Sequence, residues 1–437
     1  MPGRNVRIHG PATEWHHAPM TDVDLPRSID TVVIGAGHGG LLMSWHLQQA
    51  GRDHVVLERR QTLGGGWQDR WDGFLLVSPN WMSELPGYPY DGDDPDGYMP
   101  RDAIAARVRA YADVISAPVV RPASVTRVAS APRGERRFRV TTSRGPVDAD
   151  AVIMATGAFH EPRIPEAAAG FASRIDQVHA HHYRSPDTLA PGGVLVVGTG
   201  QTGCQLAEEL HAAGREVWLS AGHCGRHPRR YRGHDIFWWA RQLAVHGEAV
   251  GAPLPRVDQL PAPRARFACN AHLSGHAGGH DTNLRRMARD GIHLTGRWLG
   301  SDGERATFAP DLTATLEFAD TFFDKNLGRL CEAYAAATGL QLGEDDREWP
   351  AFDPPEVESL DLARAGIGTV LWTTGYRPDY TWLDLPILDE FGVPRHVRGV
   401  TEVPGLTLIG ALFQHDNGSA NLIGVHRDAG YLAARWT

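Results

Sequence analysis

Lysine is almost missing from this chain: Lys325 is the only one among 43 Lys and Arg residues. That excludes a phosphate-loop lysine or an internal Schiff base elsewhere in the 437 residues, so all other cationic recognition falls to arginine. Cysteine is scarce too. Cys204, Cys224, Cys269 and Cys331 are scattered with no C-x-x-C spacing, which argues against a redox-active dithiol. No apolar stretch approaches the roughly 18 residues of a membrane span. A net charge of −9 favours neither nucleic acid nor an anionic membrane as partner. The opening MPGRNVRIHGPATEWHHAPMTD lacks an apolar h-region and a cleavage-site pattern, so a polar leader and a cytoplasmic protein are expected. With 42% apolar and 22% charged residues, the chain has the composition of an ordinary globular protein and the length for two full cores.

Glycine, by contrast, is abundant, with 49 residues, and two groups of it share one pattern. Gly35-x-Gly37-x-x-Gly40 follows the β-branched run 32–34, and Gly198-x-Gly200-x-x-Gly203 follows the run 194–197. Each opens an apolar-periodic helix, the strand–turn–helix context that separates a dinucleotide fingerprint from an accidental spacing. Glycine there permits a tight turn and lets backbone N–H groups approach a pyrophosphate at a helix N-terminus. His38 lies inside the first turn, Gln201 and Thr202 inside the second.

The residues downstream distinguish the two nucleotides. HVVLE ends at Glu58, followed by Arg59, about twenty residues past the first glycines, where a carboxylate accepts from ribose hydroxyls. The matching strand EVWLS ends at Ser220 with no carboxylate, and Arg226, Arg229, Arg230 and Arg232 come after it. A carboxylate repels a 2′-phosphate, whereas a serine and several guanidiniums hold one. The first site is read as FAD and the second as NADPH. A solvated basic loop, or an electrostatic patch for another anion, is the other reading of the arginine cluster.

Residues 28–60 read as strand, helix, strand. The segment that follows, to about residue 101, is rich in Gly, Pro and aromatics, and an irregular stretch of that length inside a domain is usually functional. A helix is expected at 102–116, strands near 119–128 and 137–142, and a buried strand at 147–159. A second unit starts near 188, with an aromatic helix at 235–243 whose FWWARQL face offers a homodimer contact, and a Pro-rich linker at 250–266. Further strands are expected at 366–379 and 403–413, and a last helix near 419–435. The expected fold is α/β, with two Rossmann-like dinucleotide-binding domains. An NADPH domain (188–355) is inserted into a discontinuous FAD domain (28–175 and 362–437). His179/His181/His182 and His272/His276/His280 have metal-like spacing, but no cysteine or paired carboxylate completes either set, and no metal is expected.

One ordered set of motifs spans the chain: the first fingerprint, Gly64-Gly65-Gly66-Trp67, Ala155-Thr156-Gly157, the second fingerprint, and Thr373-Thr374-Gly375-Tyr376. It resembles the class B flavin-dependent monooxygenases. Within them, SPNWMSELPGYPYDGDDPDGY, HPRRYRGHDIFWW and GGHDTNLRRMARDGI are similar to the CzcO-type bacterial oxidoreductases. The resemblance runs from about residue 28 onward. It implies that NADPH reduces FAD, that reduced FAD takes up O2 as a C4a-(hydro)peroxyflavin shielded by bound NADP+, and that one oxygen passes to a small organic substrate by N-, S- or carbonyl oxidation. Such chemistry needs a dry, shaped cavity. Segment 67–90, with Trp67, Trp71 and Trp81, is the candidate wall, a plain core or lid role being the other reading.

The resemblance further places Trp67 and Gln68 against the flavin, Val125 at the adenine, Thr156 at the FAD-domain turn and Thr374 at its counterpart. Asn80 matches an asparagine near the reactive flavin edge, where an amide can hydrogen-bond a developing peroxide; an Asx-turn after Pro79 is the alternative. His415 precedes the last helix, whose N-terminus in this fold favours negative charge on reduced flavin; a helix-entry turn is its other reading. The Baeyer–Villiger signature is imperfect: Ser173 replaces its glycine, the gap to His179 is longer, and Tyr183 stands in its aromatic place. That counts against the Baeyer–Villiger subset and leaves a hinge role for the segment. Two rivals stay open: an NADPH oxidase or reductase serving another acceptor, and a flavin redox sensor without turnover.

Overall fold

The computed structural model describes residues 24–132, 136–268, 272–345, 347 and 352–435. Most of the polar leader lies outside them. The first unit contains β1 (Ser28–Ile34), α1 (His38–Gln49), β2 (His54–Leu57), α2 (Arg101–Val114), β3 (Val119–Val120), β4 (Val125–Ser130), β5 (Phe138–Thr142) and β6 (Gly145–Met154). The chain then enters β7 (Asp176–His179), β8 (Gly193–Val197), α3 (Gln201–Ala212), β9 (Val217–Ser220), α4 (Ile236–His246), α5 (Leu284–Arg289) and β10 (His293–Thr295). After α6 (Leu312–Phe323) and α7 (Arg329–Thr338) come β11 (Ile367–Trp372), β12 (His396–Val397), β13 (Val400–Thr401), β14 (Leu406–Leu408) and α8 (Leu422–Ala433).

The strands form two large sheets. The nine-stranded one runs β12-β13-β14-β6-β1-β2-β3, with β5 and β4 extending from β6. Its centre is parallel: Val32 sits opposite both Val55 and Val152. Consecutive residues of β1 feed opposite cores, Val32 and Ile34 to one and Val33 to the other, where α1 and α8 pack. The second sheet is wholly parallel, in the order β10-β9-β8-β11-β7. Trp372, fully buried at the end of β11, lies 5.0 Å from the Trp298 ring and 6.1 Å from Phe171, and its Nε1 donates to Gln177 Oε1 at 3.2 Å.

The second sheet corrects the expected boundaries 28–175, 188–355 and 362–437. Residues 176–179 and 367–372 both hydrogen-bond within the five-stranded sheet, so the insert reaches back before 188 and forward past 362. A buried apolar run such as IGTVLW suits a central strand of either sheet. Only pairing with β8 and β7 decides its membership, and that pairing is non-local.

Both fingerprint turns are fixed by backbone contact. A Cβ on Gly40 would lie 1.8 Å from the Gly35 carbonyl oxygen, and one on Gly203 1.9 Å from that of Gly198. Each turn also rests on the segment leaving the neighbouring strand: Gly35 on the Ala155 carbonyl, Gly203 on Thr373 Oγ1. The N-caps of α1 and α3 are Gly37 and Gly200, with no side-chain cap and no acid in the first turn. Their first N–H groups are left for a ligand. By contrast Asp235, Asn283 and Asn421 cap α4, α5 and α8 with their own side chains.

The fold encloses several imidazoles. Burial is the leading cause that pushes His179, His227, His272, His396 and His426 down to about 4, and His38 to about 3. A depressed histidine leaves the folded state unable to take protons that the unfolded chain accepts below about pH 6.5. Stability is therefore full above that pH and lost as pH falls toward 4, with His179 and His272, 2% and 0% exposed, contributing on the order of 3 kcal/mol each. The melting temperature is expected to drop steadily between about pH 6.5 and about pH 4.5, less steeply in His272→Gln. A flat profile for the unaltered protein would show that these imidazoles are protonated in the fold.

Candidate active site

At the first turn, Ala36 N donates to Glu58 Oε2 at 2.9 Å and Arg60 N to Oε1 at 3.0 Å, so the buried carboxylate ties the fingerprint to the end of β2. A carboxylate has further lone pairs for ribose hydroxyls. The glycine turn 64–66 lies directly over this point: a Cβ on Gly65 would come 3.0 Å from Gly37 Cα, and Gly64 has φ 137°. Two backbones this close, around an uncapped helix start, fit the pyrophosphate of a dinucleotide. Thr156 Oγ1 is buried against the Tyr380 hydroxyl. The ring nitrogens of His38 are buried, one facing the Leu422 backbone, with the ring 5.4 Å from His426. Trp67 packs on Phe74 at 6.2 Å, and Gln68 exchanges hydrogen bonds with Thr62 at 2.6 and 3.3 Å. Arg59 is exposed, and Val125 half-buried at the start of β4.

The second turn is built in the same way. Thr199 Oγ1 donates to Gly222 O at 3.0 Å and accepts from Gly222 N at 2.9 Å, and His272 Nε2 donates to Thr199 O at 2.5 Å. Gln201 clasps the Leu273 backbone, accepting from its N–H at 3.1 Å and donating to its carbonyl. Thr202 is half-buried, and Thr374 Oγ1 donates to Arg163 O.

The residues expected at a 2′-phosphate are not gathered into one anion site. Ser220 Oγ is buried, donating to Gly296 O and accepting from Trp298 N, both at 2.9 Å. Arg226, 5% exposed, pairs with Asp281 at 2.6 Å and Asp320 at 3.2 Å. Arg229, as deeply buried, pairs with Asp235 at 2.8 Å and donates to Val77 O at 2.5 Å. Arg230 is exposed in a two-residue strand. The carboxylates that claim Arg226 lie about 55 and 94 residues away in sequence, beyond any local pattern. What does open at the carboxyl end of β9 is a cleft of about 320 Å³ lined by His223, Arg297, Asp311, Ala314 and Thr315. The His223 ring stacks on Phe318 at 3.6 Å, and Arg297 faces Asp311 at 3.6 Å. Neither residue was singled out by sequence, although Arg297 sits just past the end of β10, where such clefts form.

The two units meet around the long loop. Phe159, beyond β6, packs 5.1 Å from Tyr376, beyond β11, and His179 Nε2 bonds Gly375 O at 3.0 Å. Glu209 of α3 accepts from Trp71 Nε1 at 2.6 Å and Tyr183 OH at 2.8 Å, and burial raises its pKa. One carboxylate thus joins the second-nucleotide helix, the loop and the segment between the units. Trp71, 2% exposed, is a core residue, whereas Trp81 lies under Arg241 at 5.3 Å.

Asn80 and His415 have different surroundings. Asn80 is buried, and its Nδ2 donates to Asp94 O at 2.9 Å and Tyr90 OH at 3.3 Å, so both amide protons staple the loop. Its Oδ1 is buried without a partner. His415 lines a cleft of about 130 Å³ with Arg256, Arg398, Asp416 and Arg427. Burial, then Arg398, Arg427 and Arg256, lower its pKa against the pull of Asp416. Cys204 and Cys331 are buried thiols, but Cys224 is disulfide-bonded, which the absence of C-x-x-C spacing did not foretell. Cys269 lies outside the described residues. Among the described residues there is no cluster of three or more His, Cys, Asp or Glu suited to a metal, and no helix long and apolar enough to cross a membrane.

Residues 32–232 match the pyridine nucleotide-disulphide oxidoreductase family model. The CzcO-like oxidoreductase of Geobacillus kaustophilus is 30% identical over 414 residues, spanning 92% of this chain and 97% of that protein. The chain belongs to the CzcO-like oxidoreductases. Its fold is that of the flavin monooxygenases: the flavin-containing monooxygenase of Stenotrophomonas maltophilia superposes with a TM-score of 0.62 at 24% identity, covering 94% of this chain and 98% of that one. OTEMO, solved in complex with FAD and NADP, superposes at 0.51 and 15% identity, covering 93% and 85%. This CzcO-like protein is accordingly an α/β oxidoreductase with two Rossmann-like units.

The ion pairs of Arg226 make a distinguishing forecast. Arg226→Ala leaves two carboxylates short of a buried partner and is expected to cost on the order of 3–5 kcal/mol in a denaturant melt. An unchanged melt with weaker NADPH binding would return Arg226 to the nucleotide.

Proposed function

We propose that this protein is an NADPH-dependent FAD monooxygenase acting on a small organic substrate. The observation that carries the proposal is the approach of Phe159 to Tyr376: the segments leaving β6 and β11, one from each nucleotide-binding sheet, touch at 5.1 Å. Ligands of open parallel sheets sit at the carboxyl ends of the strands. Two nucleotides bound there would lie at the strand ends on either side of this contact.

The first turn, with Gly35, Gly37, Gly40, Gly65 and Glu58, would hold FAD, and the second, with Gly198, Gly200 and Gly203, NADPH. When bound, the pair supplies hydride transfer and activation of O2. The chain contributes the rest. Uncapped starts of α1 and α3 bind phosphate. Loop 67–98 excludes water over the centre, kept in place by Glu209 and by Asn80 bonded to the Asp94 carbonyl. Since both Asn80 protons are engaged, its part is to shape the wall, and its free Oδ1 is the atom left for a ligand. The cleft of His223 and Arg297, at the carboxyl end of β9, would hold the adenosine end of NADPH, where Arg297 would meet a 2′-phosphate.

Anaerobic NADPH should reduce the bound flavin, and rapid mixing with O2 should then show a spectral transient distinct from reduced and oxidised flavin. Direct return to the oxidised spectrum, with peroxide as sole product in the presence of substrates, would establish an oxidase or reductase. No reduction at all would leave a flavin sensor. In the same assay Arg297→Ala should raise the KM for NADPH about tenfold and that for NADH less, the size of one lost charge-assisted contact. Equal changes for both nucleotides would remove Arg297 from the phosphate.

A further inference from the structure

Most enclosed arginines of this protein have partners. Arg226 and Arg229 face carboxylates, and Arg107 donates to the carbonyls of Ser83, Tyr88 and Pro89 at 2.7–3.0 Å. Arg70 does not. Its Nε is buried with no hydrogen-bond partner, and no ion pair or hydrogen bond to a described residue holds either terminal nitrogen. The nearest acid, Asp69, is taken by Arg60. Burial accordingly lowers the Arg70 pKa, with Tyr376 and Asp69 opposing at longer range.

Arg70 is half-buried, so its guanidinium is only partly removed from water, and aromatic faces offset part of the cost to the Nε that is enclosed. Arg70 has those faces: its guanidinium carbon is 4.7 Å from the Phe159 ring centroid and 5.7 Å from that of Phe74, with Tyr376 5.1 Å beyond Phe159. The backbone behind it is pinned, the Arg70 carbonyl accepting from Arg101 Nη1 at 3.1 Å and Arg184 Nη1 at 3.3 Å. Phe159 is 50% exposed, so the cage is open on one side. It stands where the segments leaving both sheets meet, beside the loop after Gly64–Trp67. One positive charge in an aromatic wall matches a ligand with one negative charge and an apolar body. A phosphate dianion would ask for a second cation or a helix start.

We infer that Arg70 anchors the carboxylate of an apolar organic acid, with Phe74, Phe159 and Tyr376 enclosing its body, and that such acids are the substrate class of this enzyme. The assignment of substrate rests on the oxygenase reading above; the carboxylate site itself does not.

Calorimetry on the oxidised, FAD-loaded protein tests it with benzoate and its neutral isostere benzamide, and requires neither reduction nor O2. Benzoate should bind at least about tenfold more tightly than benzamide, as expected for a charge-assisted pair. Arg70→Gln should abolish the difference, and Phe159→Ala, at a half-exposed site, should weaken both ligands alike. Melting temperature and FAD content verify that each variant is folded, and the comparison of the two ligands on the unaltered protein stands without any variant. Equal binding of the two, binding of neither, or a preference that survives Arg70→Gln overturns the inference. Tighter binding of phenyl phosphate than of benzoate gives the site to a phosphate ester and also overturns it. A benzoate preference without the oxygen-dependent transient would keep the site and remove the oxygenase; the transient without the preference would do the reverse.

Discussion

Two carbonyl oxygens set the terms for this molecule. Those of Gly35 and Gly198 occupy the space that a Cβ at positions 40 and 203 would need, at 1.8 and 1.9 Å. The starts of α1 and α3 can sit on their strands only because no side chain intervenes. Nearly everything else about nucleotide binding depends on this proximity. It places uncapped N–H groups at the strand ends, and it rests each turn on the segment leaving the neighbouring strand, Ala155 in one sheet and Thr373 in the other. The repetition also explains why the two units converge. Each turn is backed by a segment that then continues toward the other unit, through Phe159 on one side and Tyr376 on the other.

Charge is distributed with equal economy. In a chain with one lysine, arginine both builds the interior and recognises ligands, and the structure separates the two duties by pairing. Arg226, Arg229 and Arg285 are engaged with Asp281, Asp235 and Asp320. Such pairs are worth little net stability, yet each is expensive to break from one side. Guanidiniums outside that scheme are the ones left for function. Arg297, exposed beside an open cleft, keeps a looser pair with Asp311 at 3.6 Å, and Arg70 faces aromatic rings.

What could be read without coordinates follows the range of the physics involved. The fingerprints, Glu58 at the end of β2 and helices within a few residues of 102–116 and 235–243 were legible, since turn chemistry and apolar period are local. Sheet membership was not: residues 367–372 read as part of the return to the flavin unit but lie beside β8 and β7. The arginines after Ser220 had the right spacing for a phosphate, and only the folded chain brings Asp281 and Asp320 to Arg226. Asn80 was singled out from its motif, but the carbonyl of Asp94 that occupies its amide lies across a loop and is not local in sequence. Glu209 went unremarked beside Glu208. Its place on α3, three residues past buried Leu206, was the available sign that one acid of the pair faces inward.

Glu209 has a consequence for the whole enzyme. It stands on α3, the helix that opens at the second glycine fingerprint, and its two oxygens accept from Trp71 of the long loop and Tyr183 of the chain between the units. A carboxylate cannot follow α3 without drawing both partners with it. The pose of that helix and the posture of the loop are therefore one mechanical variable, and thermodynamic reciprocity makes the coupling run both ways. Whatever tightens the loop must alter affinity at α3 by the same factor that a ligand at α3 alters the loop. A single half-buried acid joins one half of the molecule to the other.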